Sequence, residues 1–307
     1  MLTAEGLQLR AALFHLVRSF FSKRGFLEVD TPIRQPVVLP EANIVPLRAG
    51  NWFLQTSPEQ CMKRLLAAGC ENIFQICPCF RAEERGSRHL EEFTMLEWYR
   101  VASDYLELMS DCERLLRFVL NSLLEIGSGQ PIVVDSCIAK MVIEQPWERL
   151  SVAEAFSRYA SCSVAEALDQ DRFDEVIAIE IEPRLGRGRP TFLFDYPARC
   201  ASLARLKNDD PGLAERFELY IEGMELANGF SELTDAAEQR KRFAEELVKN
   251  EQSRKQAGGV MPERFLAELE KLGRAAGIAF GLDRLLMLLM SADSIDEVVS
   301  FSPSDWD

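Results

Sequence analysis

Residues 73–100 constrain the fold most, because they form two extended runs joined by a charged loop. In the second run, residues 93–100, side chains two positions apart face the same way, so Glu97 shares a strand face with Met95 and Tyr99. A carboxylate between two such neighbours is costly to bury unless a cation meets it. The pattern therefore predicts a β-hairpin with a charged site on one face.

Arg81 is the second informative feature of this hairpin, because it stands where the first run ends, in the sequence Phe80-Arg81-Ala82-Glu83. A guanidinium is suited to clamping carboxylate or phosphate oxygens in a bidentate way. These residues alone leave two interpretations open: a nucleotide and carboxylate site, or an amphipathic hairpin with ordinary surface ion pairs.

Composition limits the class of protein. The chain has 307 residues, 47% hydrophobic and 27% charged, which is typical of a soluble globular protein, and no apolar run reaches a membrane-spanning length. The formal charge of −14, from 35 basic and 49 acidic residues, disfavours extensive nucleic-acid binding. Eight scattered cysteines and two histidines disfavour a zinc site and indicate free thiols in a reducing cytoplasm.

Apolar spacing and turn residues divide the chain into helices, strands and connections. Helices are predicted at residues 5–24, from Pro58 onward with Ser57 as N-cap, and at 102–126, 151–168, 236–256 and 282–290. Outside the hairpins, strands are predicted at residues 26–32, 52–55, within 131–147, at 191–195 and at 277–281. Residues 33–50, 184–190 and 257–262 are predicted to be irregular connections, the basic loop 184–190 being a solvated connector or, less favoured, a partner-binding loop.

A second hairpin is predicted at residues 216–232, with a two-residue turn at 222–223. This register places Tyr220 opposite Glu225 and places Glu218 diagonal to Glu225 on the same face. Two carboxylates at that spacing repel unless a cation lies between them. Mg²⁺ prefers such oxygen ligands, together with substrate phosphates, so the hairpin predicts a magnesium site.

Three polar or aromatic residues of the same hairpin are expected on the face of the strand opposite to Glu225. By strict alternation Asn228, Phe230 and Glu232 would face away from Glu225. A β-bulge near residues 227–229 would turn them inward, and we favour it because these groups would otherwise serve no site.

Arg284 lies in the first turn of the predicted helix 282–290, where the helix dipole disfavours a cation. A surface Asp283 could offset this, or Arg284 and the helix N-terminus could receive an anion such as phosphate. We favour the anion. The chain has neither a P-loop nor a GxGxxG motif after a strand, so the hairpins, the arginines and the paired acids predict a nucleotide site on an antiparallel sheet.

Several segments, in this order and spacing, resemble class II aminoacyl-tRNA synthetases. Residues 24–32, 80–97 and 277–284 resemble motifs 1, 2 and 3, and residues 191–197, 215–219 and 225–233 resemble the lysyl enzymes in particular. The resemblance covers nearly the whole chain. It implies an α+β fold, an antiparallel sheet flanked by helices, in one catalytic domain of residues 1–307 that forms a homodimer through motif 1.

The N-terminal OB-fold that binds the anticodon in lysyl-tRNA synthetases has no counterpart before the first predicted helix. In this respect the chain resembles the truncated paralogues that attach (R)-β-lysine to a lysine of translation elongation factor P. This resemblance implies an ATP-dependent ligase that uses Mg²⁺ and takes lysine or (R)-β-lysine.

The resemblance implies a role for each matching position. Arg81 and Arg284 would be catalytic, with Arg81 bridging the substrate carboxylate and the α-phosphate. Glu59 would meet the backbone amine of the substrate. The implied ATP-binding residues are Arg81, Ala82, Glu83, His89, Phe93, Glu225, Leu226, Gly281 and Arg284. The implied lysine-binding residues are Ser57, Pro58, Glu59, Glu97, Tyr99, Asn228, Phe230 and Glu232, and the implied Mg²⁺ ligands are Glu218 and Glu225.

The chain departs from the family pattern at a few positions. Ala82 stands where Asn is usual, and Leu90-Glu91 replaces Asn-Pro in the motif 2 loop. Ala279 stands where lysyl synthetases have Gly, and its methyl group would reposition the substrate amine in a way that fits a β-amino acid. Two alternatives therefore remain: lysyl transfer to tRNA or another small acceptor, and a regulatory paralogue without catalysis.

Overall fold

A computed structural model describes residues 1–41, 43–127, 134–252 and 259–306. Within these ranges the strands are β1 (Leu27–Glu28), β2 (Arg34–Gln35), β3 (Arg48–Ala49), β4 (Trp52–Leu54), β5 (Asn72–Phe80), β6 (Glu92–Val101), β7 (Glu148–Ser151), β8 (Thr191–Pro197), β9 (Leu213–Ile221), β10 (Met224–Ser231) and β11 (Ala275–Gly281). The α-helices in the same ranges are α1 (Ala4–Ser22), α2 (Glu59–Ala67), α3 (Tyr105–Gly127), α4 (Ser136–Glu144), α5 (Val152–Tyr159), α6 (Val164–Asp169), α7 (Phe173–Val176), α8 (Ala236–Gln252), α9 (Glu263–Leu269) and α10 (Leu282–Met290).

The main sheet of the described chain has eight strands in the order β1-β5-β6-β11-β10-β9-β8-β7. The outer pairs β1–β5 and β7–β8 are parallel, and the pairs between them are antiparallel. In a small sheet of order β2-β4-β3, β4 matches the strand predicted at residues 52–55, whereas β2 and β3 lie in the segment 33–50 that was predicted to be irregular. The predicted α+β class, with a mostly antiparallel sheet and flanking helices, is confirmed.

Helices α1, α3 and α10 cover one face of this sheet. Apolar residues at helical spacing on α1, such as Leu13 and Phe21, are fully buried against the sheet residue Trp98. The Phe21 ring lies 5.2 Å from Trp98 and 4.8 Å from Phe74 between centroids. Thr3 caps α1, because its side chain accepts a hydrogen bond from the Gly6 N–H. The largest core cluster therefore lies on this side of the sheet, while two smaller clusters, one with Tyr220 and one with Tyr99, lie on the other side and flank the site.

Both predicted hairpins are present with the expected turns. Strands β5 and β6 pair from Asn72↔Arg100 to Phe80↔Glu92, and β9 and β10 meet at Ile221↔Met224. The basic loop before β8 is fastened to this second turn, because the Gly188 N–H and the Arg187 guanidinium both bind the Glu222 carboxylate, at 3.2 and 2.8 Å.

The predicted helix at residues 151–168 is instead two helices. The first, α5, begins with the predicted capping box of Ser151 and Glu154. It ends at Tyr159, and α6 starts after a second capping box formed by Ser163 and Glu166. The prediction of one helix was based on the apolar spacing and did not take the second capping box into account.

Two other predicted boundaries differ from the structure. Helix α2 begins at Glu59, so Pro58 occupies the N-cap position, and Ser57 instead accepts the Glu59 N–H through its hydroxyl at 3.0 Å. The prediction of a strand within residues 131–147 is wrong for the part of this segment that the structure describes. There the chain forms α4, which Asp135 caps by accepting two backbone N–H groups. Residues 131–133 lie outside the described ranges, as do 253–258.

All eight cysteines lie in described ranges and are free thiols, as the scattered spacing predicted. Among the described residues, no helix combines the length and the apolar character that are needed to span a bilayer.

Candidate active site

A cavity of about 1000 Å³ opens on the face of the sheet opposite α1 and α3. Its lining includes most of the residues that the sequence singled out. These are Ser57, Glu59, Arg81, His89, Phe93, Glu97, Tyr99, Glu225, Leu226, Asn228, Phe230, Gly281 and Arg284.

Strand register explains why residues so far apart in sequence meet here. Glu97 pairs with Ala279 of β11, which pairs with Asn228 of β10, which pairs with Glu218 of β9. Residues in direct register point to the same face of a sheet, so these side chains form a row across the cavity floor. The row joins the two hairpins through β11, which lies between them.

The predicted bulge is present, one or two residues earlier than expected. The register shifts between Glu225 and Ala227, so Leu226 is the additional residue of β10. The shift brings Asn228 opposite Glu218, and the Asn228 amide donates to the Glu218 carboxylate at 3.4 Å. Without the bulge, Asn228 would face the helices.

One end of the cavity is rich in buried carboxylates. Glu97 is 2% exposed and accepts a hydrogen bond from the Tyr99 hydroxyl at 3.2 Å. Burial, followed by the nearby charge of Glu59, raises the pKa of Glu97 well above its ordinary range. Burial likewise raises the pKa of Glu232 to about 8. Such carboxylates gain most from an arriving cation.

Lys63 is a functional-site residue that the sequence analysis missed. Its ammonium is 2% exposed and forms ion pairs with both Glu59 and Glu232. Burial lowers the pKa of Lys63, but the charges of Glu232 and Glu59 outweigh burial and hold it above its ordinary value. The spacing of four residues between Glu59 and Lys63 on one helix was a usable signal, whereas the pairing with Glu232 was not.

Glu232 lies just below the cavity floor, under Gly277. A Cβ at Gly277 would stand 2.1 Å from the Tyr99 ring and 2.5 Å from Glu232 Oε1, so only glycine fits between them. Glu232 Oε2 pairs with Lys63, while the buried Oε1 has no hydrogen-bond partner in the described part of the chain. That free acceptor beside the cavity suits a substrate ammonium.

The other end of the cavity is rich in arginine. Arg81, Arg88 and Arg284 line it together with His89. Arg284 Nη2 lies 2.6 Å from His89 Nε2. A guanidinium only donates, so this nitrogen accepts and His89 is neutral with its proton on Nδ1. Three cations around a neutral ring form a binding place for an anion such as a polyphosphate.

We expect His89 to stay neutral throughout the physiological pH range. Partial burial of the ring and the charge of Arg284 lower the pKa of His89 to about 4. The unfolded chain binds this proton near pH 6.5, so the contribution of His89 to folding stability declines as pH falls from about 6.5 towards 4. Histidine NMR should locate the midpoint, and Arg284→Ala should raise it; an unchanged midpoint in that variant would contradict the contact.

Glu225 and Glu218, the implied magnesium ligands, differ in their surroundings. Glu225 is half-buried, lines the cavity and lies 3.3 Å from Arg284. Glu218 is buried and accepts hydrogen bonds from Tyr196, Tyr220 and Arg216 at 2.6 to 2.7 Å, in addition to Asn228. Among the described residues, no group of three or more His, Cys, Asp or Glu side chains could hold a metal ion alone. An ion bound mainly by phosphates would fit Glu225, whereas Glu218 already has its partners.

The idea of a surface Asp283 that offsets Arg284 is wrong. Asp283 is 2% exposed, and its carboxylate accepts from the Arg10 guanidinium and the Thr94 N–H, each at 2.6 Å. Asp283 therefore fastens the start of α10 to α1 and β6. Arg284 is left facing the cavity, as the anion interpretation requires.

Five of the predicted site residues are not part of the cavity lining, namely Pro58, Ala82, Glu83, Glu218 and Glu232. Glu83 is exposed and has a left-handed backbone, with φ of 67°. Its neighbour Glu84 lines the cavity instead and lies 3.9 Å from Arg81.

Comparison with known proteins agrees with this geometry. The family of class II tRNA synthetases (D, K and N) matches residues 3–305. The chain therefore belongs to that family. Curated relatives include proteins named "Elongation factor P--(R)-beta-lysine ligase". The one from Edwardsiella ictaluri is 39% identical over 313 residues, and that from Klebsiella pneumoniae strain 342 is 38% identical over 332 residues. Each alignment covers 95% of this chain and 93% of the relative.

Proposed function

We propose that the chain is an ATP-dependent ligase that activates (R)-β-lysine, or lysine, and transfers it to a lysine side chain of translation elongation factor P. The observation that carries the proposal is the division of one cavity into an arginine-rich end and a carboxylate-rich end. The first end suits a nucleotide and the second suits the ammonium groups of a diamino acid. The relatives, which match 95% of the chain, carry the name of this activity.

In the first half-reaction, the substrate carboxylate attacks the α-phosphorus of ATP, and pyrophosphate leaves as the acyl-adenylate forms. Arg81 lies between the two ends of the cavity, with its guanidinium 5.1 Å from the Phe93 ring. From there it can bind the carboxylate and an α-phosphate oxygen together, so that its charge stabilises the transition state. Arg88 and Arg284 are placed to receive the leaving phosphates.

In the second half-reaction, the neutral amine of an acceptor lysine attacks the acyl carbonyl carbon. An amide forms, AMP leaves, and the amine releases a proton. The deep carboxylates hold the substrate ammonium groups during both steps, which fixes the reacting carboxyl group next to Arg81.

Mg²⁺ is part of the proposal, with Glu225 as the residue that would hold it beside the phosphates, whereas the implied ligand Glu218 keeps its own partners behind it. When bound, the ion would neutralise phosphate charge. Arg284, which contacts Glu225, would then be shared between that carboxylate and the nucleotide.

We also propose a cytoplasmic homodimer of a single catalytic domain. Leu27, Ile33 and Trp52 are apolar and 41 to 58% exposed; Leu27 and Ile33 lie in or next to the segment that resembles motif 1, and the Trp52 ring packs against Arg34 just after it. A shared interface would cover them. Light scattering should give twice the chain mass, and a monomer at micromolar concentration would contradict the dimer.

The deciding experiment is the intact mass of elongation factor P after incubation with the protein, ATP and Mg²⁺. (R)-β-Lysine and lysine are supplied in parallel reactions, and tRNA in a separate one. We expect a gain of one lysyl unit on the factor and no charged tRNA. Charged tRNA with an unmodified factor would instead indicate a synthetase, and no product in any reaction would indicate a regulatory protein.

A further inference from the structure

The carboxylate-rich end of the cavity contains one cation of its own. Three carboxylates meet there, from Glu59 on α2, Glu97 on β6 and Glu232 after β10. The Lys63 ammonium lies between two of them and 5.2 Å from the Phe230 ring, which forms part of the cavity wall. Lys63 therefore belongs to the substrate pocket although it does not line the cavity.

A charge count connects this lysine to the substrate. In the occupied pocket, three ionised carboxylates would carry three negative charges, and Lys63 would neutralise one of them. Two remain, which equals the two ammonium groups of lysine or β-lysine. Buried charges are stable only when they are compensated, so a pocket with this count favours a substrate with two ammonium groups.

We infer that Lys63 sets the number of positive charges that the pocket requires from its substrate, and that it does so by neutralising one of the charges of Glu59 and Glu232 when the substrate is bound. The inference rests on the proposed function, because it concerns the diamino acid that this function requires. Lys63 acts through the two carboxylates and is therefore a positioning residue.

Other charged and titratable groups also face Glu59 and Glu232. From β6, Tyr99 faces Glu232 across Gly277, and Glu97 accepts the Tyr99 hydroxyl and faces Glu59. On the rim, Glu41 is half-buried, and the charge of Glu59 adds to burial in raising the pKa of Glu41 to about 7. Arg81 opposes that rise and faces the nucleotide end. Among the described groups that face Glu232, Lys63 is thus the one cation.

The inference predicts how many protons leave the pocket when lysine binds. With Lys63 present, two arriving ammonium groups require all three carboxylates to be ionised, whereas without Lys63 two carboxylates suffice and the third keeps its proton. Calorimetry in buffers of different ionisation enthalpy should therefore show about one proton fewer released in Lys63→Met than in the wild type. Lys63→Arg keeps the charge and should release the wild-type number.

A double variant separates charge from structure. Glu232→Gln alone leaves Lys63 as surplus charge and should raise the KM for lysine in ATP–pyrophosphate exchange, by about tenfold or more. Adding Lys63→Met to Glu232→Gln removes that surplus, so two carboxylates again meet two ammonium groups. The KM should then fall back towards the wild-type value, whereas a purely structural lysine would make the double variant weaker than Glu232→Gln.

The outcomes distinguish this inference from the proposed function. If the wild-type protein exchanges pyrophosphate with neither lysine, the proposed function fails. If the wild type is active but the double variant binds lysine more weakly than Glu232→Gln, the inference fails and the function stands. The double variant also serves if Lys63→Met does not fold, because it does not leave Glu232 as a buried carboxylate without its cation.

Discussion

Arg81→Ala is expected to lower the rate of adenylate formation by about 10³-fold and to leave the protein folded. Among the described residues, the polar contacts of the Arg81 side chain are long: its Nε lies 3.4 Å from the Thr56 carbonyl oxygen, and Glu84 lies 3.9 Å away. An arginine held so loosely contributes little to stability but is free to bind a carboxylate and a phosphate. ATP–pyrophosphate exchange with lysine measures the loss.

Arg85→Ala is the matched control for this prediction. Arg85 lies on the same loop but is not part of the cavity lining, and it forms a surface ion pair with Asp296 at 2.8 Å. Its replacement should leave exchange within a factor of about two. If Arg81→Ala retained exchange at a similar level, the assigned role of Arg81 would be wrong.

Asp283→Ala is expected to lower the free energy of unfolding by about 3–5 kcal/mol. The variant leaves the Arg10 guanidinium, whose side chain is 17% exposed, without its carboxylate, and it leaves the Thr94 N–H unpaired. A buried charge that loses its partner is one of the most destabilising changes known in proteins. Urea denaturation of both proteins would measure the difference.

The control for the stability prediction is Glu263→Ala, which removes an exposed ion pair with Arg240. This change should leave the midpoint of unfolding where it is, because solvent screens such pairs. Equal midpoints for Asp283→Ala and the wild type would mean that Arg10 and Thr94 find other partners.

The parts of the fold that could be predicted are those determined by local patterns. Alternation fixed the faces of β6, and Glu222-Gly223 fixed the hairpin register, so Glu97 and Glu225 were expected on the correct sides. The apolar run before Trp147 was short, and a short run fits a helix as well as a strand, which is why α4 was missed.

The missed parts of the site depend on contacts between distant segments. Nothing in the neighbourhood of Lys63 indicates that Glu232 will reach it, because the pair forms only when α2 packs over the sheet. The same is true of Asp283, whose partner Arg10 lies at the other end of the chain. Family resemblance brought Glu232 into the set of site residues, but it did not reveal the cation beside it.

The position of β11 has a consequence for how the chain reaches its native state in the cell. This strand lies between β6 and β10, yet it is synthesised after both. As the chain leaves the ribosome, the two hairpins each keep an unpaired edge until residues 275–281 arrive, and such edges are prone to wrong pairing. Translation that stops in α9 would therefore release a chain with two exposed strand edges, a target for chaperones and proteases.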